Sequence, residues 1–303
     1  MGETPSRPER HVFENSERIG KLVRNVRSAI CALPAYFQSG TRLEGLDGGE
    51  LFSLSGVLGG AIEHQVVETL NRIRGVWDPD DEWPRHTFVR YSQTFPDVRL
   101  QAYGDEELPS VALGIELKGW YLLSKEGEPS FRYTVTPQAC AEPDLLVVVP
   151  WHLKNLLSGE PVVHEPFIEQ ARYVAELRNW WWTYERQSKD AESDRQIYPP
   201  DETVTPYPAA KTKIADRPAK DGGNNFGRIA RVDLLMQDYV KQMLGKSIAG
   251  IPAEHWMQFF RLHAEARDPQ VILSRLETKL EGQNARLDRE IAEAMRHIVN
   301  LFR

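Results

Sequence analysis

The sequence predicts an α/β (α+β) fold, a mixed central sheet flanked by helices with a helical C-terminal region. Three observations carry this. Apolar residues step by three and four near both ends of the chain, the spacing of amphipathic helices. Short runs rich in Val, Leu, Ile, Tyr and Phe, separated by Gly, Pro and acidic clusters, fill residues 86–151. One of them, Leu145-Leu146-Val147-Val148-Val149, lacks polar alternation, as expected of a strand covered on both faces.

Residues 1–15 are polar, carry two prolines and read as a flexible tail. Over 16–33 the set Ile19, Leu22, Val23, Val26, Ile30 and Leu33 marks one helix face, which Pro34 ends. A second helix runs over 53–74, with Leu54, Val57, Leu58, Ile62, Val66, Leu70 and Ile73 in step. Within it Gly59-Gly60 marks close packing or a break, and Gly75 follows as a cap. Strands are predicted over 86–92, 96–103, 111–123, 131–137 and 144–151, then a helix over 166–185. Residues 186–230 are loop by composition, too long for a simple connection and therefore functional or disordered. Helical spacing returns over 229–244, 252–265 and from 269 to the end. The last stretch (Leu273, Leu276, Leu280, Leu287, Ile291, Met295, Ile298) suits helix pairing within the chain or between subunits.

With 41% hydrophobic and 27% charged residues among 303, the chain is neither a disordered nor a collagen-like polymer. No apolar run approaches the roughly 20 residues of a membrane-spanning helix, and the charged N-terminus lacks a signal peptide's apolar stretch. A cytoplasmic protein is expected. Cys31 and Cys140, 109 positions apart, suggest neither a zinc cluster nor a disulfide and read as buried thiols. The eight histidines show no metal-ligand spacing. A net charge of -7 argues against indiscriminate nucleic-acid coating, yet residues 203–247 hold eight Lys and Arg against four Asp.

The chemistry concentrates in Pro96-Asp97 and, eighteen residues after Asp97, Ile115-Glu116-Leu117-Lys118. On a strand Glu116 and Lys118 share a face, and Asp97 on a neighbouring strand can approach Glu116 across the pair. Two such carboxylates suit a hard divalent cation such as Mg²⁺. The lysine either stabilises charge on a phosphorane-like transition state or, with a lowered pKa, helps activate water.

This arrangement resembles the PD-(D/E)XK nuclease superfamily, and the order helix, strand, strand, apolar strand, helix matches its core. The resemblance implies a restriction-endonuclease-like core over 16–185 and a Mg²⁺-dependent, site-specific double-stranded DNA endonuclease of the type II restriction class. Asp97 and Glu116 would hold metal and Lys118 would act on the nucleophile. A helix carboxylate, Glu63 in preference to Glu68, would complete the acidic cluster. It further implies a homodimer and functional pairing with a cognate DNA methyltransferase in phage defence.

A second constellation, residues 213–231, interleaves Gly with Lys213, Arg217, Lys220, Asn224, Asn225, Arg228 and Arg231. These types meet phosphates and base edges, so the stretch reads as a DNA-contacting loop, with a flexible basic linker as the plain alternative. It resembles the glycine-, asparagine- and arginine-rich stretches of type II restriction enzymes. Residues 186–303 would then form a recognition loop and helical region packed on the core. Trp180-Trp181-Trp182 and Tyr184 suit either base stacking or core packing, and core is favoured. The rival readings are a repair or other defence nuclease of the same fold and a non-catalytic nucleic-acid-binding protein.

Overall fold

The computed structural model describes residues 5–14, 16–44, 54–91, 93–102, 110–186, 192–209 and 211–265. The helix pairing expected beyond 269, and the start of the second helix at Ser53, lie outside these residues.

Helix α1 (Arg18–Cys31) buries Leu22, Val23, Val26, Ala29 and Ile30, the stripe its spacing predicts. Pro34 sits in the first turn of a short helix α2 (Leu33–Tyr36), where its missing N–H leaves nothing unpaired. Helix α3 (Leu54–Arg72) continues through Gly59-Gly60, so that pair marks packing and not a break. A Cβ on Gly119 of the sheet would stand 3.7 Å from the Gly59 Cα. Gly75 is not a cap, because it lies inside a further turn, α4 (Arg74–Trp77).

Strands β1 (Thr87–Arg90), β2 (Val98–Ala102), β3 (Ser110–Tyr121), β4 (Leu145–Leu153), β5 (Pro161–Val163) and β6 (Phe167–Gln170) form one mixed sheet. Its order is β1-β2-β3-β4-β5, with β6 also paired to β4. β1, β2 and β3 are antiparallel, whereas β3 and β4 are parallel. Every residue of β4 is buried, between β3 on one edge and β6 and β5 on the other. The run without polar alternation is thus the central strand.

Three of the expected strands and helices need correction. Residues 167–170, expected as helix, are β6, since they complete the edge of β4 before helix α5 (Ala171–Trp180) and a π-helical turn (Trp181–Glu185) begin. Residues 131–137 are not a sheet strand. They make one isolated bridge, Val135 to Ala215, while Arg178 Nη1 donates to the carbonyls of Tyr133 and Val135, acceptors that a ladder would need. The helix expected over 229–244 opens as a 3₁₀ turn, Ile229–Arg231, and only Gln237–Leu244 is helical (α6).

Small ribbons pair β7 (Ile197–Tyr198) with β8 (Arg217–Pro218) and β9 (Ser247–Ile248) with β10 (Ile251–Pro252), before helix α7 (Ala253–Glu265). The segment read as a tail is docked over residues 5–14. Arg10 pairs with Glu169 at 2.7 Å, and the Trp180 indole N–H donates to the Pro5 carbonyl. Cys140 is buried, but Cys31 is exposed, contrary to expectation. Among the described residues no helix is long and apolar enough to cross a membrane.

The sheet has two differently covered faces. α3 lies against β1 and β3 on the face of Gly119. On the other face Tyr239 of α6 packs against Trp120 and Phe167, and Tyr207 reaches Asp144 beside Gly114. The second face carries the candidate site.

Candidate active site

The pairing of Val98 with Ile115 across β2 and β3 sets Asp97, one step earlier, opposite Glu116. Strand periodicity puts Glu116 and Lys118 on the same face. The Lys118 ammonium lies between the two carboxylates, with Nζ 2.8 Å from Asp97 Oδ2 and 2.8 Å from Glu116 Oε1. The Leu117 N–H also donates to Asp97 Oδ2, at 3.3 Å. The three residues singled out by spacing are therefore in contact.

Their electrostatics are those of a partly enclosed site. The Asp97, Glu116 and Lys118 side chains keep 18%, 11% and 23% of their surface exposed. Glu116 Oε2 is buried without a hydrogen-bond partner. Burial pushes the Glu116 carboxyl up to about 8, against the pull of Lys118 and with the neighbouring charge of Asp97 adding to the rise. Burial opposes the Lys118 charge, but Glu116 and Asp97 outweigh it and hold the ammonium above the ordinary lysine range. Lys118 is thus a fixed cation.

The strands carrying these groups are held by a residue that spacing did not reveal. Asp144 Oδ1 accepts from the Gly114 N–H at 2.7 Å and from the Tyr207 hydroxyl at 2.8 Å, and Oδ2 accepts from the Ala141 N–H. Glycine is required at 114 because a Cβ would collide with the Pro96 ring and stand 2.8 Å from Asp144 Oδ1. Asp144 therefore clamps β3 two residues before Glu116. Burial pushes its carboxyl up to about 6, against the hydrogen bonds from Tyr207, Ala141 and Gly114. The sequence marks it only as an acid directly before the apolar run Leu145–Val149.

Glu63 is not brought to this cluster. It lies on α3, the helix against the Gly119 face, and its Oε2 accepts from Arg90 Nη2 at 3.0 Å. Glu68, its alternative on the same helix, is 3.3 Å from His64. Among the described residues no group of three or more His, Cys, Asp or Glu is arranged to hold a metal. The donor set that does converge, Asp97 and Glu116 with one unpartnered buried oxygen, still fits Mg²⁺. That ion typically takes one or two carboxylates and completes its shell with water and substrate phosphate.

Residues 213–231 are an ordered segment and not a free linker. Phe226 is wholly buried, edge-on to Trp182 with ring centroids 5.1 Å apart, and the Arg178 guanidinium lies over it. Asp221 Oδ1 accepts from the N–H groups of Asn225 and Phe226. Several expected DNA contacts have partners within the protein. Arg231 lies 2.6 Å and Arg228 3.9 Å from Glu128, and Arg231 also donates to Asn225 Oδ1. Lys220 meets Asp194 at 3.2 Å, and Arg217 meets Asp201 at 3.4 Å in a pair exposed on both sides. Asn224 occupies the left-handed region at φ 55°, a turn role asparagine tolerates. Lys213 precedes Ile214, whose carbonyl accepts from the Thr136 N–H.

Comparison with protein-family models, with curated proteins and with solved structures returns no match for this chain.

Proposed function

We propose that the protein is a Mg²⁺-dependent endonuclease that hydrolyses phosphodiester bonds in double-stranded DNA. The observation that carries this reading is the Lys118 ammonium bridging Asp97 and Glu116 from neighbouring strands, beside a buried carboxylate oxygen without a partner. Asp97 and Glu116 would hold the ion. When bound, Mg²⁺ would supply Lewis-acid polarisation of a phosphoryl oxygen and a lowered pKa for its water.

The protein's own groups do the rest. Because two carboxylates hold its proton, Lys118 serves as an electrostatic stabiliser of charge developing on the phosphoryl oxygens, and not as a general base. Asp97 orients that ammonium through its 2.8 Å contact, while its bond from the Leu117 N–H ties the acid to β3. Asp144 keeps the strands in register. Restriction-type specificity, a homodimer and a partner methyltransferase belong to the same proposal and rest on the likeness of the motif.

The test is incubation of supercoiled and linear plasmid DNA with the protein, in Mg²⁺ and in EDTA, beside Glu116→Ala. Discrete Mg²⁺-dependent fragments absent from the variant support a site-specific endonuclease. A smear requiring free ends points to an exonuclease, and intact but shifted DNA points to a binding protein.

A further inference from the structure

Away from the candidate catalytic strands, a cavity of about 460 Å³ opens between residues 136–138, 179–180, 183–184, 196–199 and Asp216. That is within the range of small-ligand sites, roughly 300–1,000 Å³. Three aromatic side chains line it: Trp180, Tyr184 and Tyr198. Tyr184 and Tyr198 remain 43% and 50% exposed, two of the few large apolar side chains of the described surface left in solvent. Aromatic rings left bare at a pocket are a stacking surface in want of a flat partner.

The floor is rigid and polar. Arg178, wholly buried, pairs with Asp216 Oδ2 at 2.6 Å, and the Asn179 amide donates to the same oxygen. On the walls, the oxygen of Gln138 accepts from the Thr136 hydroxyl and that of Gln196 from the Tyr198 hydroxyl. The capacity left to both glutamines is chiefly the NH₂ donor pair, which suits the carbonyl and ring-nitrogen acceptors of a base edge. A π-helical turn, a form common at functional sites, supplies Tyr184.

What selects nucleic acid over another flat ligand is the charge beside the rings. Tyr198 is paired in register across the β7–β8 ribbon with Arg217, whose long 3.4 Å pair with Asp201 is exposed on both sides and open to exchange for a phosphate, and the exposed Lys213 lies three residues before Asp216 in the sequence. Rings next to exposed cations suit a base and its flanking phosphates. The floor is also joined to the catalytic strands. Arg178 donates to the Tyr133 carbonyl, and the Tyr133 ring packs on Phe95, two residues before Asp97.

We propose that this pocket receives a single unpaired nucleobase of the DNA, stacked on Tyr184 and Tyr198 and held at its edge by Gln138 and Gln196. A base in a duplex cannot enter such a cavity while stacked, so recognition of duplex DNA here extrudes one nucleotide. The inference rests on the nucleic-acid reading above but does not require cleavage.

The experiment is fluorescence anisotropy in EDTA with a 12-nucleotide single-stranded DNA and a strand of equal length carrying abasic residues throughout. Tyr184→Ala and Tyr198→Ala should each weaken binding of the normal strand by roughly 5- to 150-fold. Tyr198→Phe, which keeps the ring but releases the Gln196 oxygen, should lose less affinity than Tyr198→Ala, and the abasic strand should bind wild type and Tyr198→Ala alike. Urea midpoints equal to wild type show that the variants are folded. Unchanged affinity in both alanine variants, an equal loss on the abasic strand, or no single-strand binding by the wild type would each overturn the pocket assignment. Plasmid cleavage with unchanged Tyr198→Ala binding sinks this inference alone, whereas tyrosine-dependent binding without cleavage sinks the nuclease reading alone.

Discussion

The strands of the candidate site and the segment from Glu192 to Arg231 are both rich in charge, yet they use it in opposite ways. Just before β2 and on β3 two acids and one ammonium sit close together, with one buried Glu116 oxygen left without a partner. In the later segment charges are spread out and matched one by one: its Asp216 with Arg178, its Asp221 with Arg132, its Arg231 with Glu128 and its Lys220 with Asp194. The first arrangement crowds two acids into a desolvated site, which is what raises the Glu116 carboxyl, and the second pairs charge with charge. Local excess within a buried cluster, more than the number of basic residues in a window, marks where chemistry is concentrated.

The largest expected effect lies on the strands. Lys118→Ala should lower single-turnover plasmid cleavage by about 10²–10⁴-fold while DNA binding in EDTA stays within a few-fold of wild type. Cleavage at the wild-type rate would remove Lys118 from the mechanism.

The second region should break through stability instead. Asp216→Ala leaves the buried Arg178 charge without its partner and should cost about 3–5 kcal/mol by urea denaturation. A loss below about 1 kcal/mol would mean that Arg178 finds water or another acceptor.

A third contrast is acid sensitivity away from both regions. His152 and His164 stack with ring nitrogens 2.9 Å apart. Burial, reinforced by His164, pushes His152 down to about 4. The folded protein thus keeps this imidazole neutral, while the unfolded chain takes up a proton near 6.5. The contribution to stability is full above about pH 6.5 and is lost as pH falls towards 4, of order 3 kcal/mol over that window. Urea midpoints measured from pH 4 to 7 should flatten in His152→Gln, and an unaltered slope would refute the assignment.

The smallest effect is at Arg217, whose pair with Asp201 is exposed on both sides. Arg217→Ala should change stability by less than about 0.5 kcal/mol. If it meets a phosphate, the log–log salt slope of DNA binding should shrink by about one.

Much of the sheet was legible because its signals are local. Alternation marks a half-buried strand, and its absence over Leu145–Val149 marked the central one. Spacing of two placed Glu116 and Lys118 on one face, and the antiparallel neighbour brought Asp97 to them. Other features depended on distant partners. Residues 167–170 carry helix-compatible residues, but β4 offered an open edge and they became β6. Residues 131–137 look like a strand until Arg178 claims their carbonyls. Glu63 stood on the right kind of helix, yet that helix covers the Gly119 face and gives the carboxylate to Arg90. The Lys and Arg of 213–231 read as open contacts because composition does not show Glu128, Asp194 or Asp201 waiting for them.

The amino-acid sequence by itself determined the class of fold, the central strand and the trio Asp97, Glu116 and Lys118, because the periods of strand and helix act between near neighbours. Tertiary structure alone decided that Glu63 pairs with Arg90 instead of joining the acids, which cations are neutralised, and that Trp180, Tyr184 and Tyr198 meet around one cavity. Those outcomes depend on contacts between residues far apart in the chain, where pairing is set by packing and desolvation that no local pattern encodes.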